Sequence, residues 1–346
     1  MKESFDPDAA ALPGSGIYGL PFTPEEARFV VIPVPWEATT SYGGGTSKAP
    51  AAVLAASAQV DLYDHETGRP YEAGIAMLPI PKTVAAWNRE ARRLALPIIK
   101  MGGEIGTNPR LVQAQKKVNR LGEQMNEWVR RETASCFGRG KTPVLLGGDH
   151  STPYGAIQAA AAAYPGLGVL HFDAHADLRD AYEGFIWSHA SIMNNVARKI
   201  PGVARIVQVG VRDLSNAEAR MIEDSAGRIT TFFDSDIQGR LASGEPFARV
   251  AEEVARALPA NVWISFDVDG LEPNLCPHTG TPVPGGLTFP EATRILAAVA
   301  KAGHRIVGCD LNEVAPGPKG DEWDANVGAR LLYKMIGFAN LTATRA

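Results

Sequence analysis

The feature that most constrains this 346-residue chain is a set of short runs that are apolar almost throughout. They fall at 29–33, 144–146, 168–172, 205–211, 229–233, 262–266 and 305–309 and are rich in β-branched residues. A strand with one face in water alternates apolar and polar residues, whereas a strand covered on both faces is apolar at nearly every position. The runs therefore predict a mostly parallel sheet between two helical layers. Helix signals fill the gaps. Ser215 with Glu218 and Thr288 with Glu291 fit capping boxes, the second with Pro290 in the first turn. Leu111, Val118, Leu121, Met125 and Val129 form one stripe of an amphipathic helix over 111–132. The alanine run at 159–163 reads as a tightly packed helix. Strands and helices alternate with no linker or repeat, which predicts one doubly wound α/β domain over 28–346. Residues 1–27, with Pro, Gly and acidic residues but little periodicity, read as an arm on the domain or on a neighbouring subunit.

Composition narrows the function classes. The formal net charge of −4 is spread without long runs of one sign, which argues against nucleic acid or an anionic membrane as the partner. No uninterrupted apolar stretch approaches the roughly 18–20 residues of a membrane helix. Acidic residues stand near the start, where a secretory signal would need an apolar core. Cys136, Cys276 and Cys309 are far apart and odd in number, the pattern of reduced thiols in a cytoplasm.

Ligands of doubly wound sheets bind beyond the carboxyl ends of the strands. Polar residues follow the apolar runs at four places. Gly147-Gly148-Asp149-His150-Ser151 offers a tight strand-to-helix turn, a histidine near the mouth of the sheet and a serine able to cap the next helix. A lone histidine at a turn is more often structural. In His171-Phe172-Asp173-Ala174-His175-Ala176-Asp177, alternation along an extended chain sends Asp173, His175 and Asp177 to one side. Carboxylates gathered at the end of a buried strand are costly without a cation. Asp267-Val268-Asp269 repeats that logic, since two aspartates on one face need a divalent ion or a raised pKa. Asp310-Leu311-Asn312-Glu313 adds carboxylates at the same height, with Asp310 open to readings as ligand, helix cap or salt-bridge partner. Together His150, Asp173, His175, Asp177, Asp267 and Asp269 form a mixed N/O set suited to Mn²⁺, Ni²⁺, Fe²⁺ or Co²⁺ rather than thiolate-bound zinc. Six side chains suit a pair of ions sharing bridging carboxylates better than one ion with open positions.

Gly-Gly-Asp-His-Ser, Asp-Ala-His-Ala-Asp, Ser-Phe-Asp-Val-Asp-Gly-Leu-Glu-Pro and Thr279-Gly280-Thr281-Pro282, in order and in register, resemble the ureohydrolases, the family of arginase and agmatinase. The resemblance runs from Val30 to Lys334 and implies an arginase-like three-layer α/β/α sandwich. It implies one ion on His150, Asp173, Asp177 and Asp267 and another on Asp173, His175, Asp267 and Asp269. Asp177 would also orient a metal-activated hydroxide, His189 would shuttle protons, and Glu313 would pair with the guanidinium of the substrate. Trimers or hexamers are usual in that family, and urea is the product. Other stretches, among them Trp36–Thr46 and Glu322–Gly328, are most similar to the guanidine hydrolase branch, which prefers small guanidines and uses nickel; manganese fits the same ligands. By that resemblance Thr39 or Thr40, Thr281 and Trp323 would line the substrate pocket. Phe185, Ile186 and Trp187 suggest an aromatic wall or a hydrophobic loop at an oligomer contact, and Trp323 could stack on a guanidinium or simply pack a loop.

The expected reaction is hydrolysis of guanidine or a small N-alkylated guanidine or biguanide. Agmatine or another ω-guanidino compound is the alternative, with Asp180 and Glu183 placed to hold a distal ammonium. One-zinc amide hydrolysis on a related sandwich fits less well, because the second Asp-x-Asp pair and Glu313 have no place in it. The expected partner is a small guanidinium compound, and the assembly a homo-oligomer or a hetero-oligomer with a homologous subunit, which leaves a non-catalytic partner subunit as a further reading.

Overall fold

Every apolar run forms a strand in the computed structural model, which describes residues 5–343 apart from residue 13. The strands are β1 (Phe29–Pro33), β2 (Ile75–Met77), β3 (Thr142–Leu146), β4 (Leu167–Phe172), β5 (Val203–Val211), β6 (Ile229–Phe233), β7 (Asn261–Asp267) and β8 (Arg305–Asn312). They make one parallel sheet in the order β2-β1-β3-β8-β7-β4-β5-β6. β2 was not anticipated: it is a three-residue edge strand, too short to carry a pattern.

Both faces of the sheet are dry. Phe29, Val31, Val144, Leu146, Leu170, Phe172, Ile264 and Phe266 pack into one core. That core is closed by α1 (Ala49–Ser57), α8 (Phe247–Arg256), α9 (Phe289–Lys301) and α10 (Trp323–Ala343). The intervening Val30, Ile32, Leu145, Val169 and Trp263 face the other core, under α2 (Lys82–Ile99), α3 (Pro109–Gly138), α4 (Tyr154–Ala163) and α5 (Ile192–Lys199). Burying one such side chain contributes about 1.5–3 kcal/mol, so a strand apolar on both faces is stable only between two layers. The result is a three-layer α/β/α sandwich.

Both capping boxes form, on α6 (Asn216–Glu223) and on α9. The long amphipathic helix exceeds its expected span at both ends, because Asn108 caps its first turn and Pro109 starts it. Ser151 does not cap α4. Its hydroxyl turns back to the Asp149 carboxylate, and α4 begins only at Tyr154, after Pro153. In the segment read as an arm, Ile17, Tyr18 and Leu20 are buried, and the Tyr18 hydroxyl donates to the Ala329 carbonyl of α10 at 3.0 Å. Among the described residues no helix is long and apolar enough to cross a membrane.

Strand order determines where chemistry can occur. β3 and β4 follow one another in the chain but are separated by β8 and β7, so the connection reverses direction there and leaves a crevice at the carboxyl edge. Leu146, Leu311, Phe266 and Phe172 pair in a level row across β3, β8, β7 and β4. Each of the four polar motifs begins next to that row.

Candidate active site

The turn after β3 places the first histidine. A Cβ on Gly148 would lie 1.8 Å from the Trp36 carbonyl oxygen, so only glycine lets the chain pass that close. The next residue's N–H then donates to the same carbonyl at 2.8 Å, and His150 emerges fully buried. Its Nδ1 lies 2.9 Å from Asp173 Oδ2, 3.2 Å from Asp267 Oδ2 and 3.4 Å from Asp177 Oδ2. Its Nε2 meets Ser265 Oγ at 2.9 Å, and that hydroxyl donates to Asp310 Oδ1 at 2.8 Å. Since the serine proton is committed to Asp310, the imidazole proton sits on Nε2. The Nδ1 lone pair therefore faces three carboxylate oxygens, an arrangement that is repulsive until a cation or a proton enters.

His175 builds a second focus. Its Nδ1 is 3.3 Å from Asp173 Oδ1 and 3.1 Å from Asp269 Oδ2. Asp173 thus turns one oxygen to each histidine. The remaining lone pairs are fixed by the backbone: His175 N–H donates to Asp173 Oδ1, Asp269 N–H to Asp267 Oδ1, and Ala174 N–H to Asp269 Oδ1. All four aspartates are buried.

Electrostatics supply the fit test for metal. Burial, with Asp173 beside it, pushes the Asp177 carboxyl well above the usual range, and burial with Asp269 and Asp173 does the same to Asp267. Burial alone would also raise Asp173, but His171, His150 and His175 hold it well below. No lysine or arginine forms an ion pair with the four aspartates among the described residues. Hard carboxylates and imidazoles that converge without a compensating charge fit divalent ions. The described cluster has the donor set and the uncompensated charge of a site that could hold metal.

Glu313 stands beside it at the end of β8. His150 N–H donates to its Oε1 at 2.9 Å, while its buried Oε2 has no partner. Glu313 and Asp177 both adopt left-handed backbone, at φ 62° and 55°. Such conformations in non-glycine residues cost on the order of 1–3 kcal/mol and concentrate at functional sites. His189, half-buried at the start of a 3-10 turn, has the Tyr182 ring edge-on at 5.9 Å. Burial, with His175 nearby, pushes its imidazole down to about 4.

The expected pocket residues divide into two groups. The Thr281 hydroxyl reaches Asp269 Oδ2 at 3.3 Å. Thr39 is buried with an unpartnered hydroxyl. Thr40 bonds the Glu37 carbonyl, and its methyl lies 3.6 Å from where a Cβ on Gly280 would sit. Trp187 packs on Tyr154, with its side chain against Gly122 and the Lys199 ammonium over its ring. Phe185, also expected in an aromatic wall, is core. Trp323 is 48% exposed, and its indole N–H donates to the Asn274 carbonyl.

Asp310, left open from the sequence, caps no helix and stands 4.0 Å from His150 Nε2 through its Oδ1. It accepts from Trp263, Ser265 and Asn312 below the cluster. Two participants were missed. His171 reaches Asp173 Oδ2 at 2.9 Å, and Gln208 of β5 stands behind it. The alternation that grouped Asp173 with His175 extends back to His171, so a signal existed; Gln208 carries none.

Comparison with known proteins agrees. A family model described as Arginase family matches residues 27–337. An N(1)-aminopropylagmatine ureohydrolase of Thermus thermophilus is 32% identical over 330 residues, spanning 94% of this chain and 96% of the relative. The agmatine ureohydrolase of Thermoplasma volcanium superposes with a TM-score of 0.73 at 24% identity, over 96% of both chains. The proclavaminate amidino hydrolase of Streptomyces clavuligerus gives 0.72 at 18%, over 96% of this chain and 99% of that one. At those identities the two structures speak for the fold alone. With the family model spanning nearly the whole sandwich, the chain belongs to the arginase family of ureohydrolases, hydrolases that act on guanidino groups.

Proposed function

We propose that the chain is a binuclear-metal hydrolase that cleaves a guanidinium C–N bond and releases urea, or a urea derivative, with ammonia or an amine. His150, Asp173, Asp177 and Asp267 would hold one ion, and Asp173, His175, Asp267 and Asp269 the other. The observation that carries the reading is Glu313 Oε2, a buried carboxylate oxygen without a partner beside the aspartate cluster. A planar cation with paired N–H donors satisfies it.

Two divalent ions bound there supply a water acidic enough to ionise near neutrality. Glu313 holds the guanidinium plane and fixes which face of its carbon is attacked. Asp177 accepts a hydrogen bond from the attacking water and orients it. His189, neutral at pH 7 because its pKa is depressed, takes up a proton and passes it to the departing nitrogen.

The substrate we favour is guanidine or a short N-alkylated guanidine. In support, the 40–43 loop closes over Gly280, where a Cβ on Gly43 would come within 3.0 Å of the Gly280 Cα, and Gly280 itself lies within van der Waals reach of Glu313 Oε2. The second reading is an ω-guanidino amine, as the names of the relatives suggest. Glu183 favours it: Oε2 is buried without a partner on a left-handed backbone at φ 50°. Nickel and manganese both suit the ligands. A homo-oligomer, trimer or hexamer, or a pairing with a homologous chain, completes the proposal, and the buried free thiols of Cys136, Cys276 and Cys309 fit a reducing cytoplasm.

The test is to load apo-protein separately with Ni²⁺ and Mn²⁺. Release of urea or a substituted urea is then measured from guanidine, methylguanidine, metformin, agmatine, N(1)-aminopropylagmatine, guanidinobutyrate and arginine. Highest kcat/KM on guanidine or a methylated guanidine supports the first reading, and preference for the amines the second. Fully loaded protein that releases neither from any of them refutes both.

A further inference from the structure

His171 is the buried group that the proposed reaction leaves unexplained. It lies wholly inside the sheet on β4, and its Nε2 belongs to a set of donor atoms from His150, His171, Asp173 and Asp177 that all fall within 4.8 Å of one another. Distance alone would count it as a metal ligand. Counting protons gives a different answer.

Gln208 is the register partner of His171 on β5. Its side-chain nitrogen lies 2.7 Å from the Ala176 carbonyl oxygen, which can only accept. The amide is therefore oriented by its network, nitrogen toward Ala176. The same nitrogen lies 3.0 Å from His171 Nδ1. An amide nitrogen only donates and has two protons, one for each of these partners. The Gln208 oxygen is occupied by the Thr231 hydroxyl at 3.0 Å, which secures the orientation from the other side. His171 Nδ1 must therefore be the acceptor. A proton on it would face a second donor, so the ring is neutral and carries its proton on Nε2. That N–H points at Asp173 Oδ2, 2.9 Å away.

We infer that His171 is a positioning residue and not a ligand: Gln208 locks it in the Nε2–H tautomer, and it donates to the carboxylate that lies between the two histidine ligands. The consequence for Asp173 is symmetrical. Oδ2 receives one protein N–H from His171, Oδ1 receives one from the His175 backbone, and each oxygen keeps one in-plane lone pair for an ion. Thr231, Gln208 and His171 thus form a one-way hydrogen-bond chain that fixes the rotation of Asp173. Outer partners of this kind typically account for about 10–100-fold in metal affinity.

The assignment rests on the proposed two-ion site, and its test reads binding and tautomer rather than turnover. Apo-protein is titrated calorimetrically with Mn²⁺ for the wild type, His171→Gln, His171→Leu and Gln208→Leu, with circular dichroism to establish folding. Glutamine places an amide N–H near the imidazole Nε2 position, so His171→Gln should keep the wild-type stoichiometry and nearly the wild-type affinity. His171→Leu and Gln208→Leu should keep the stoichiometry and bind about 10–100-fold more weakly. In ¹⁵N-histidine-labelled wild type loaded with diamagnetic Zn²⁺ or Cd²⁺, the resonance missing from His171→Gln should show the neutral Nε2–H pattern.

One ion fewer in both His171 variants, or a metal-shifted Nε2 resonance, would make His171 a ligand and overturn the inference. Unchanged affinity in folded His171→Leu would also overturn it, leaving a packing role. If wild-type protein itself binds a single ion, the two-ion reading fails, while the tautomer measurement still decides the state of His171. Should His171→Leu not fold, Gln208→Leu and the resonance pattern carry the test.

Discussion

Glu313→Gln isolates the carboxylate's charge from its shape. Glutamine keeps the side-chain length and tolerates the same left-handed backbone. Its carbonyl can stand where Oε1 stands and still accept the His150 N–H, now 2.9 Å away. The anchor of the first histidine ligand is thereby preserved. The amide nitrogen then occupies the place of Oε2, which has no protein partner, and turns a donor toward the substrate's own N–H groups. A hydrogen bond to a charged group contributes about 1.5–3 kcal/mol. At 1.36 kcal/mol per decade, kcat/KM should fall roughly 10- to 150-fold, and the donor-to-donor contact pushes the loss toward the upper end. Metal content by elemental analysis should remain that of the wild type. Glu313→Ala provides the contrast: it also strips the His150 N–H of its acceptor, which costs a further ~1–3 kcal/mol and should weaken metal binding. Urea release and metal stoichiometry are read together. A metal-replete Glu313→Gln enzyme within threefold of wild type would refute the guanidinium-pairing argument. Loss of metal in that variant would show instead that Glu313 serves the ion site.

Three further outcomes follow from the geometry. Asp267→Asn keeps the bond from the Asp269 N–H but removes the charge opposite His150; it should abolish activity and lower metal stoichiometry, and an active, fully loaded mutant would contradict a bridging role. Trp323→Ala removes a half-exposed ring whose loss should leave stability within about 0.5 kcal/mol, yet impair small guanidines more than agmatine; equal losses would leave Trp323 as loop packing. Asp64 is raised by burial, but bonds from Lys334 and Thr67 outweigh that and hold its carboxyl below the usual range. Its contribution to stability is complete above the unfolded pKa and is lost as pH falls through the folded one. The Tm difference between wild type and Asp64→Asn should therefore narrow on acidification, and a gap that stays constant across that range would refute the linkage.

What the sequence made legible follows from the length of each signal. Most buried parallel strands announce themselves in five or more largely apolar residues, the short 144–146 run being marked by the glycine motif that follows it, and each such run lies within a strand. β2 has three residues and one neighbour, so no pattern distinguishes it from loop. The histidine–aspartate cluster was legible because all its members but His150 stand two residues apart beside those strands. The physical reason differs from simple alternation: β4 ends at Phe172, and Asp177 points inward only because its backbone turns left-handed. Ser151 was misread because a serine after a turn is as able to bond the Asp149 side chain as to cap a helix. For Trp187 the sequence left two readings open, because an aromatic loop near the site and an aromatic loop packed on α3 and α4 have the same composition; the Gly122 notch that receives the ring lies sixty-five positions earlier. Gln208 had no local signal, since its role exists only through register with β4.

The strained residues show how the fold keeps the site in shape. Asp177 and Glu313 both leave their segments with positive φ, at a cost of about 1–3 kcal/mol each. Both are held by backbone partners on other elements. The Asp177 carbonyl accepts the N–H groups of Met193 and Asn194 at the start of α5, at 3.0 and 3.1 Å. The Glu313 N–H donates to the Gly148 carbonyl at 2.8 Å, beside the narrow passage under Trp36. Each bond ties a site residue to the element that supplies another: α5 follows directly on His189, and Gly148 leads to His150. Relaxing either φ would therefore break a bond on which a second site residue depends, so the strain is offset by coupling. Substituting glycine at 177 or 313 would relieve the backbone cost and remove the side chain together, which means stability and function pull in opposite directions at these two positions. At 313 glycine would also strip the His150 N–H of its acceptor, so Asp177→Gly, which removes a carboxyl destabilised by burial and by Asp173, is the variant expected to prove more stable than wild type while inactive.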